Sequence, residues 1–500
     1  MGFAKTTCTL LFLWNLVLGP TIAKSAAEWR ELSIYQVVTD RFATNDGSAP
    51  DCWIRSYCGG TWKGLENKLD YIQGMGFQAV WISPIIHNIE ENTTWGYAYH
   101  GYWGDNPYKL NPHFGTPDDL KSLSTALHKR RMSLMVDIVI NHLAANQKPD
   151  NVEYSRFPAP FNSKSSFHQP CDIDYANQSS VEDCWLTTTL PPLVDVKSED
   201  ASVVDIVKTY NVDGIRLDTA RHVPKQYLAQ FQDAVGVFVT GEALNESVPF
   251  VQQYQGPLDS AHNYPLWYAL VDTFTGRTTF DYLAAIMKTE EAVFSDINVL
   301  TNFLDNHDQP RMASRVGDDL VRDKNAVTFL MFTSGIPVLY YGFEQRFDGS
   351  ADPVNREPMW RSDYNTNATL YQYISKLHEI RDLASTTIEK SSYFSSYVKV
   401  LGTSTEYMAL QRGPLVVVVS NVGVDGTNNS FNIAASDFAP GSTIIDLFSC
   451  STVKVGKKGS FVSPPNEGEA RKKEAFALKL PNKDGTDMKP LFLMEGVQHE

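Results

Sequence analysis

The stretch GIRLDTARH at residues 214–222 runs from a short apolar segment into a polar cluster bearing a carboxylate, Asp218. Three other stretches have the same form: DIVINH from Asp137, FVTGEALN from Phe238 and FLDNHD from Phe303. Asp218, Glu242 and Asp308 stand at the ends of three of the four. A β/α barrel draws its catalytic groups from the C-terminal ends of separate strands, so this recurrence reads as strands feeding one site. Carboxylates gathered in that way point to carbohydrate chemistry.

Working outward, apolar runs recur at SIYQVV (33), AVWIS (79), LMVDIVI (134), DGIRLD (213), VGVFVT (235), VLTNFL (299) and IPVLYY (336). Amphipathic stretches such as LKSLSTALHKR commonly precede them. Strands alternating with helices imply a parallel sheet, and this number over this length predicts an α/β fold, a (β/α)8 TIM barrel. The barrel is placed at 27–141 and 197–394. Between them, residues 142–196 are rich in Pro, Asn and Ser and carry one cysteine pair, which predicts a small inserted subdomain on the catalytic rim. From 395 to 500 the pattern changes to KVLGTS, YMALQR, LVVVVSNV, SFNIAA, STIIDLF and KVGKKGSF, separated by Gly, Asn and Asp turns. This reads as an appended antiparallel β-sandwich domain.

A chain of 500 residues, 43% hydrophobic, is long enough for a large core plus additions. Its net charge of -15 repels nucleic acid and anionic membranes, so a neutral or cationic partner is favoured. Lys5, the apolar run Leu10 to Leu18 and the small residues that follow predict a signal peptide over 1–23. That run is shorter than the about 20 residues a bilayer requires, and no other segment reads as a membrane span. The expected product is a secreted, extracellular protein and a monomer. Without Cys8, five cysteines remain: Cys52 and Cys58, Cys171 and Cys184, and a lone Cys450. In an oxidising compartment the first four close two short loops. Sequons at Asn92, Asn177, Asn245, Asn367 and Asn428 fit a glycosylated export product.

The strand ends supply the chemistry. Asp218 and Glu242 end successive strands, which lie about 4.8 Å apart, so their carboxyl groups can approach the roughly 5 to 5.5 Å of a retaining glycosidase. Arg216 is two residues before Asp218 and faces the same way, where a guanidinium would hold Asp218 ionised as a nucleophile. Glu242 shares its pocket with two other carboxylates, which should raise its proton affinity and suit it to act as acid, then base. Asp308 adds negative charge. His142 and His307, each beside an Asn, are donors suited to sugar hydroxyls.

At these residues the sequence resembles the α-amylase family of glycoside hydrolases, and most closely its secreted fungal members. The likeness runs from AEWRELSIYQVVTDRFATNDGS to FSCSTVKVG, with all four family motifs in order. It implies Asp218 as nucleophile, Glu242 as acid/base and Asp308 as transition-state stabiliser, supported by Arg216, His142 and His307. Through AYHGYW it implies Tyr102, His100 and Trp103 around the sugar at the reaction centre. Through DPVNREPMW it implies Asp352 and Arg356 at glucose units towards the non-reducing end. Arg221 and Leu244 fall on the acceptor side. A structural Ca2+ is also implied, with Asn141 and Asp195 as side-chain ligands and Glu182 and His222 ligating through backbone carbonyls; oxygen-only donors suit that ion.

Three departures from the family pattern matter. The connection 199–211 is short, Arg221 stands where Lys is usual, and Leu244, Asn245 and Glu246 replace a common Asp and Gly. Cys450 matches a family disulfide position whose usual later partner is absent. The expected function is endo-acting hydrolysis of α-1,4-glucan, on polysaccharide or maltooligosaccharide, by retaining double displacement. Two rivals stand beside it: a 4-α-glucanotransferase on starch-like or cell-wall glucans, and a non-catalytic carbohydrate-binding homologue, against which the intact carboxylates argue.

Overall fold

A computed structural model of the chain describes residues 23–197, 207–387, 390–425, 431–448 and 451–462, with the backbone of Phe476–Lys479. Nearly all of the expected leader, part of the 199–211 connection, Asn428 and Cys450 lie outside the described residues.

Eight parallel strands form the centre: β1 (Ile34–Val37), β2 (Ala79–Ile82), β3 (Ser133–Ile138), β4 (Gly214–Leu217), β5 (Phe238–Gly241), β6 (Ser260–Ala261), β7 (Thr301–Phe303) and β8 (Ile336–Tyr340). Hydrogen bonding runs β6-β5-β4-β3-β2-β1-β8-β7. A parallel bridge between His262 and Thr301 closes the ring from β6 to β7. Seven of the eight match the apolar runs in the sequence. The eighth, β6, is two residues long and escaped notice because so short a strand has no periodicity to read. Interior polar contacts hold it: Ser260 Oγ donates to the Val299 carbonyl at 2.6 Å and lies 3.0 Å from Thr240 Oγ1.

The strands are buried on both faces, which is why they read as continuous apolar runs rather than alternating ones. Helices supply the outer cover. In Pro117–Lys129, Thr116 caps the N-terminus and Asp119 returns the bond, while Leu120, Leu123 and Leu127 form the buried stripe.

The inserted segment leaves the barrel after β3. His142–Ala144 pairs antiparallel with Leu193–Asp195, and Phe157, Phe161, Phe167, Trp185 and Val194 make a small core of their own. The disulfides Cys52–Cys58 and Cys171–Cys184 are both formed.

At the C-terminal end an antiparallel sheet has the order Lys399–Thr403, Tyr407–Arg412, Leu415–Ser420, Phe476–Lys479, Thr443–Asp446, Thr452–Lys454. Leu415, Val417 and Val419 join the barrel core, whereas Val416 and Val418 join a second core with Phe431, Ile433 and Ile444. Period-two alternation thus sends one strand's side chains into two different interiors. Two sequence expectations need correction here. KVGKKGSF is a turn between short strands, because Lys458 and Gly459 both take positive φ. Phe476–Lys479, which the sequence reading passed over, lies inside the sheet.

Candidate active site

Register builds the site. Asp137 on β3 is the partner of Arg216 on β4, and Leu217 of Gly241 on β5. Asp218 and Glu242 therefore follow at equivalent heights, their backbone N–H groups bonded to Ile138 and Leu217.

Arg216, 1% exposed, is the hub. Its Nη1 lies 2.9 Å from Asp137 Oδ1 and 2.6 Å from Asp218 Oδ1, and its Nη2 lies 2.9 Å from Glu242 Oε2. One guanidinium thus gathers three buried carboxyl groups, and Asp218 and Glu242 face each other across it. Glu242 also accepts from the Thr219 N–H at 3.1 Å and the Tyr264 hydroxyl at 3.2 Å. Thr219 takes φ 46°, a left-handed conformation costly for a β-branched residue, which aims that N–H at the carboxylate.

Two opposing influences act on Asp218, where Arg216 at 2.6 Å favours the ionised form. Burial pushes the Asp218 carboxyl well above the usual range, against the pull of Arg216, and the charges of Glu242, Asp137 and Asp308 push it the same way. The guanidinium is shared among three carboxyl groups, so its effect on any one is diluted.

Asp137 escaped the sequence reading as a site residue. Besides Arg216 it accepts from Trp81 Nε1 at 3.1 Å and from the Tyr102 hydroxyl at 2.7 Å. The available signal was a single carboxylate inside the otherwise apolar run LMVDIVI, since a charge buried in a strand needs a partner nearby. Gln36, Thr219 and Tyr264 were also missed, and nothing local distinguishes them.

Tyr102 stacks on His307 with ring centres 5.0 Å apart, and His100 stacks on Tyr102 at 5.7 Å. Trp103 is partly buried, edge-on to His100 and packed against Ile89, Ala98, Ala144 and Leu193. His307 is fixed by Gln36 at 3.0 Å, and its Nε2 lies 3.1 Å from Asp308. Burial pushes His100, His142 and His307 down, His142 to about 4, so all three are neutral imidazoles at pH 7. His142 is held between two neighbours. Its Nδ1 is 2.8 Å from Asn141 Oδ1 and its Nε2 is 3.0 Å from the Tyr102 carbonyl. As a neutral imidazole with one N–H, it donates to one of these two acceptors.

Asp308, 39% exposed at its side chain, is tied to Arg356 at 3.3 Å, and Arg356 reaches Asp352 at 3.0 Å. This chain of charges extends the site outward from the carboxylate pair. Beside Glu242 a cavity of about 360 Å³ is lined by Tyr175, Thr219, Arg221, His222, Glu242 and Leu244.

Two of the four expected calcium ligands, Asn141 and Asp195, lie side by side. Val196 N donates to the Asn141 carbonyl at 2.8 Å, which brings Asn141 beside Asp195. Asn141 Oδ1 accepts from Thr219 Oγ1 at 2.6 Å, and its buried Nδ2 has no partner among the described residues. Asp195 bonds His168 Nδ1 at 2.6 Å, and burial pushes its carboxyl up to about 7. The Glu182 side chain accepts from Gln178, and the His222 ring bonds the Val181 carbonyl. Among the described residues no group of three His, Cys, Asp or Glu side chains is set for a metal. The expected set is of another kind, with one amide, one carboxylate and two backbone carbonyls.

A closed β/α barrel whose C-terminal rim holds Asp218 and Glu242 on one guanidinium defines a glycoside hydrolase. Comparison with known proteins agrees. A family model described as Alpha amylase, catalytic domain, matches residues 36–413, and one for Alpha-amylase, domain C, matches 400–472. The chain belongs to the alpha-amylase family. It is 42% identical over 457 residues to Alpha-amylase 1 of Schwanniomyces occidentalis, covering 88% of each chain. Against the Alpha-amylase of Saccharomycopsis fibuligera it is 40% identical over 442 residues, 86% of this chain and 88% of that one. The solved structure of an alpha-amylase from Malbranchea cinnamomea matches with a TM-score of 0.87 at 37% identity, over 91% of this chain and 98% of that one.

Proposed function

We propose that the chain is an α-amylase that cleaves internal α-1,4 linkages of starch- or glycogen-like glucans with retention of configuration. One observation carries the reading: Asp218 and Glu242 converge on the two terminal nitrogens of Arg216. In the first step Glu242 protonates the leaving oxygen while Asp218 attacks the anomeric carbon; in the second, Glu242 takes a proton from the attacking water. Asp218 must be ionised for this, although burial opposes it. Arg216 Nη1, 2.6 Å from Asp218 Oδ1, favours that ionised form. Asp308 and His307 face the ring hydroxyls, with Tyr102 and His100 forming a wall. Asp352 and Arg356 bind units towards the non-reducing end.

Calcium is proposed at Asn141 and Asp195, joined by the backbone carbonyls of Glu182 and His222. A buried carboxyl pushed up to about 7 is one that a cation would relieve, and oxygen donors from barrel and inserted segment suit that ion. When bound it would clamp the cleft wall. We assign 27–141 and 197–394 to the barrel, 142–196 to the inserted subdomain and 395–500 to the C-terminal domain. Secretion is supported by the two disulfides, and glycosylation by the exposed sequons at Asn92, Asn177 and Asn367. Among the described residues no helix is long and apolar enough to cross a membrane.

The test is the anomeric form of the first product of maltooligosaccharide cleavage, read by proton NMR. The α-anomer is expected, and its loss in Asp218→Asn; β-anomer as the initial product sinks the mechanism. Transfer to sugar remains a second reading, favoured by the exposed Leu244 beside Glu242. Products longer than the starting oligosaccharide would mark it.

A further inference from the structure

Arg221 joins three pieces of the cleft wall that come from different parts of the chain. It lies in the turn Ala220–His222 that follows β4. Its Nη1 donates to the Leu244 carbonyl, beyond β5, at 3.1 Å, and its Nη2 to the Tyr175 carbonyl, in the inserted segment, at 3.2 Å. The guanidinium carbon stands 4.9 Å from the ring centres of both Tyr175 and Phe250. Gln178 in turn donates to the Arg221 carbonyl at 2.8 Å. A lysine, with one compact ammonium and no planar face, does not make this arrangement.

Each terminal nitrogen gives one N–H to a carbonyl, which fixes the guanidinium in place at the cavity edge. Beside it the cavity next to Glu242 presents Tyr175, 56% exposed, and Leu244, 39% exposed. An apolar wall of this kind favours the face of a sugar ring over water.

We infer that Arg221 is a positioning residue that locks Tyr175 and the Leu244 turn into an acceptor-binding wall, diverting glycosyl groups from water to a sugar hydroxyl. The inference rests on the double displacement proposed above. In the second step the bond from Asp218 to the anomeric carbon breaks as the bond to the acceptor oxygen forms. The acceptor's proton passes to Glu242, and the wall sets whether that acceptor is water or sugar.

The experiment follows maltooligosaccharide conversion at several acceptor concentrations, counting longer products against hydrolysed ones, for the parent, Arg221→Lys, Phe250→Leu and Tyr175→Ala. All three variants are expected to lower the transfer-to-hydrolysis ratio several-fold and to raise the acceptor concentration for half-maximal transfer, with hydrolysis of starch falling less. Phe250 does not line the cavity, so its effect must pass through Arg221. Were Arg221 instead to bond the acceptor itself, Arg221→Lys would keep the parent ratio and Phe250→Leu would leave it unmoved. Either result overturns the proposal, as does a parent that yields only hydrolysis products. A parent with no action on α-glucan overturns the double displacement itself, and this inference with it.

Discussion

Asp137 and Arg216 are register partners on adjacent strands, with Arg216 Nη1 2.9 Å from Asp137 Oδ1 and neither side chain more than 1% exposed. Asp137 therefore anchors the guanidinium from below while Asp218 and Glu242 take it from the rim. Removing that anchor leaves a buried cation with two partners instead of three. Asp137→Asn is expected to cost about 1 to 3 kcal/mol of stability and to lower kcat more than it raises KM, since Arg216 can then shift against the carboxylate pair. Denaturation curves and steady-state kinetics check this; unchanged kcat would separate Asp137 from the chemistry.

Calcium should show as stability. At a hundredfold excess over its dissociation constant a bound ion contributes about 2.7 kcal/mol. A chelator is expected to lower the Tm of the parent, added calcium to restore it, and Asp195→Ala to respond to neither. A parent whose Tm ignores the chelator would refute the site.

Glu290 sits 4% exposed in the helix Phe280–Val293, and its Oε1 has no partner among the described residues. Burial pushes its carboxyl up to about 8, with hydrogen bonding from Asn263 pulling slightly the other way. A carboxyl whose proton is held more tightly in the folded state weakens the fold as pH rises. The penalty is absent below the ordinary value near 4.5, grows by about 1.4 kcal/mol per pH unit, and levels off above pH 8. Glu290→Gln should therefore be more stable than the parent at pH 8.5 and nearly equal at pH 4.5. Thermal unfolding at both pH values decides, and a constant difference would count against it.

The strand that leads to Asp218 begins at a glycine for a packing reason. A Cβ at Gly214 would meet Trp29 Cζ2 at 2.5 Å, and Trp29 is fully buried and stacked on Phe238 at 4.9 Å. Gly214→Ala is expected to cost about 1 to 3 kcal/mol, and to lower activity with stability because the strand carrying Asp218 must move. A variant with the parent's Tm would show that Trp29 yields.

Much of the barrel was legible because its strands are long enough, and apolar enough on both faces, to stand out. The long apolar strand LVVVVS in the last domain was equally plain, yet nothing local told that alternate valines enter different cores. Lys458 and Gly459 misled for the opposite reason: a turn flanked by strand-like residues looks like a strand until its positive φ angles are known.

Residue types at strand ends pointed by themselves to Asp218, Glu242 and Asp308 and to carbohydrate chemistry, because chemistry depends on which groups a chain carries. Tertiary structure alone decided how those groups are held. Arg216 is divided among Asp137, Asp218 and Glu242, His142 lies between Asn141 and the Tyr102 carbonyl, and Arg221 bonds carbonyls from two distant segments. Burial and cross-strand register set these outcomes, and both arise only when remote parts of the chain come together.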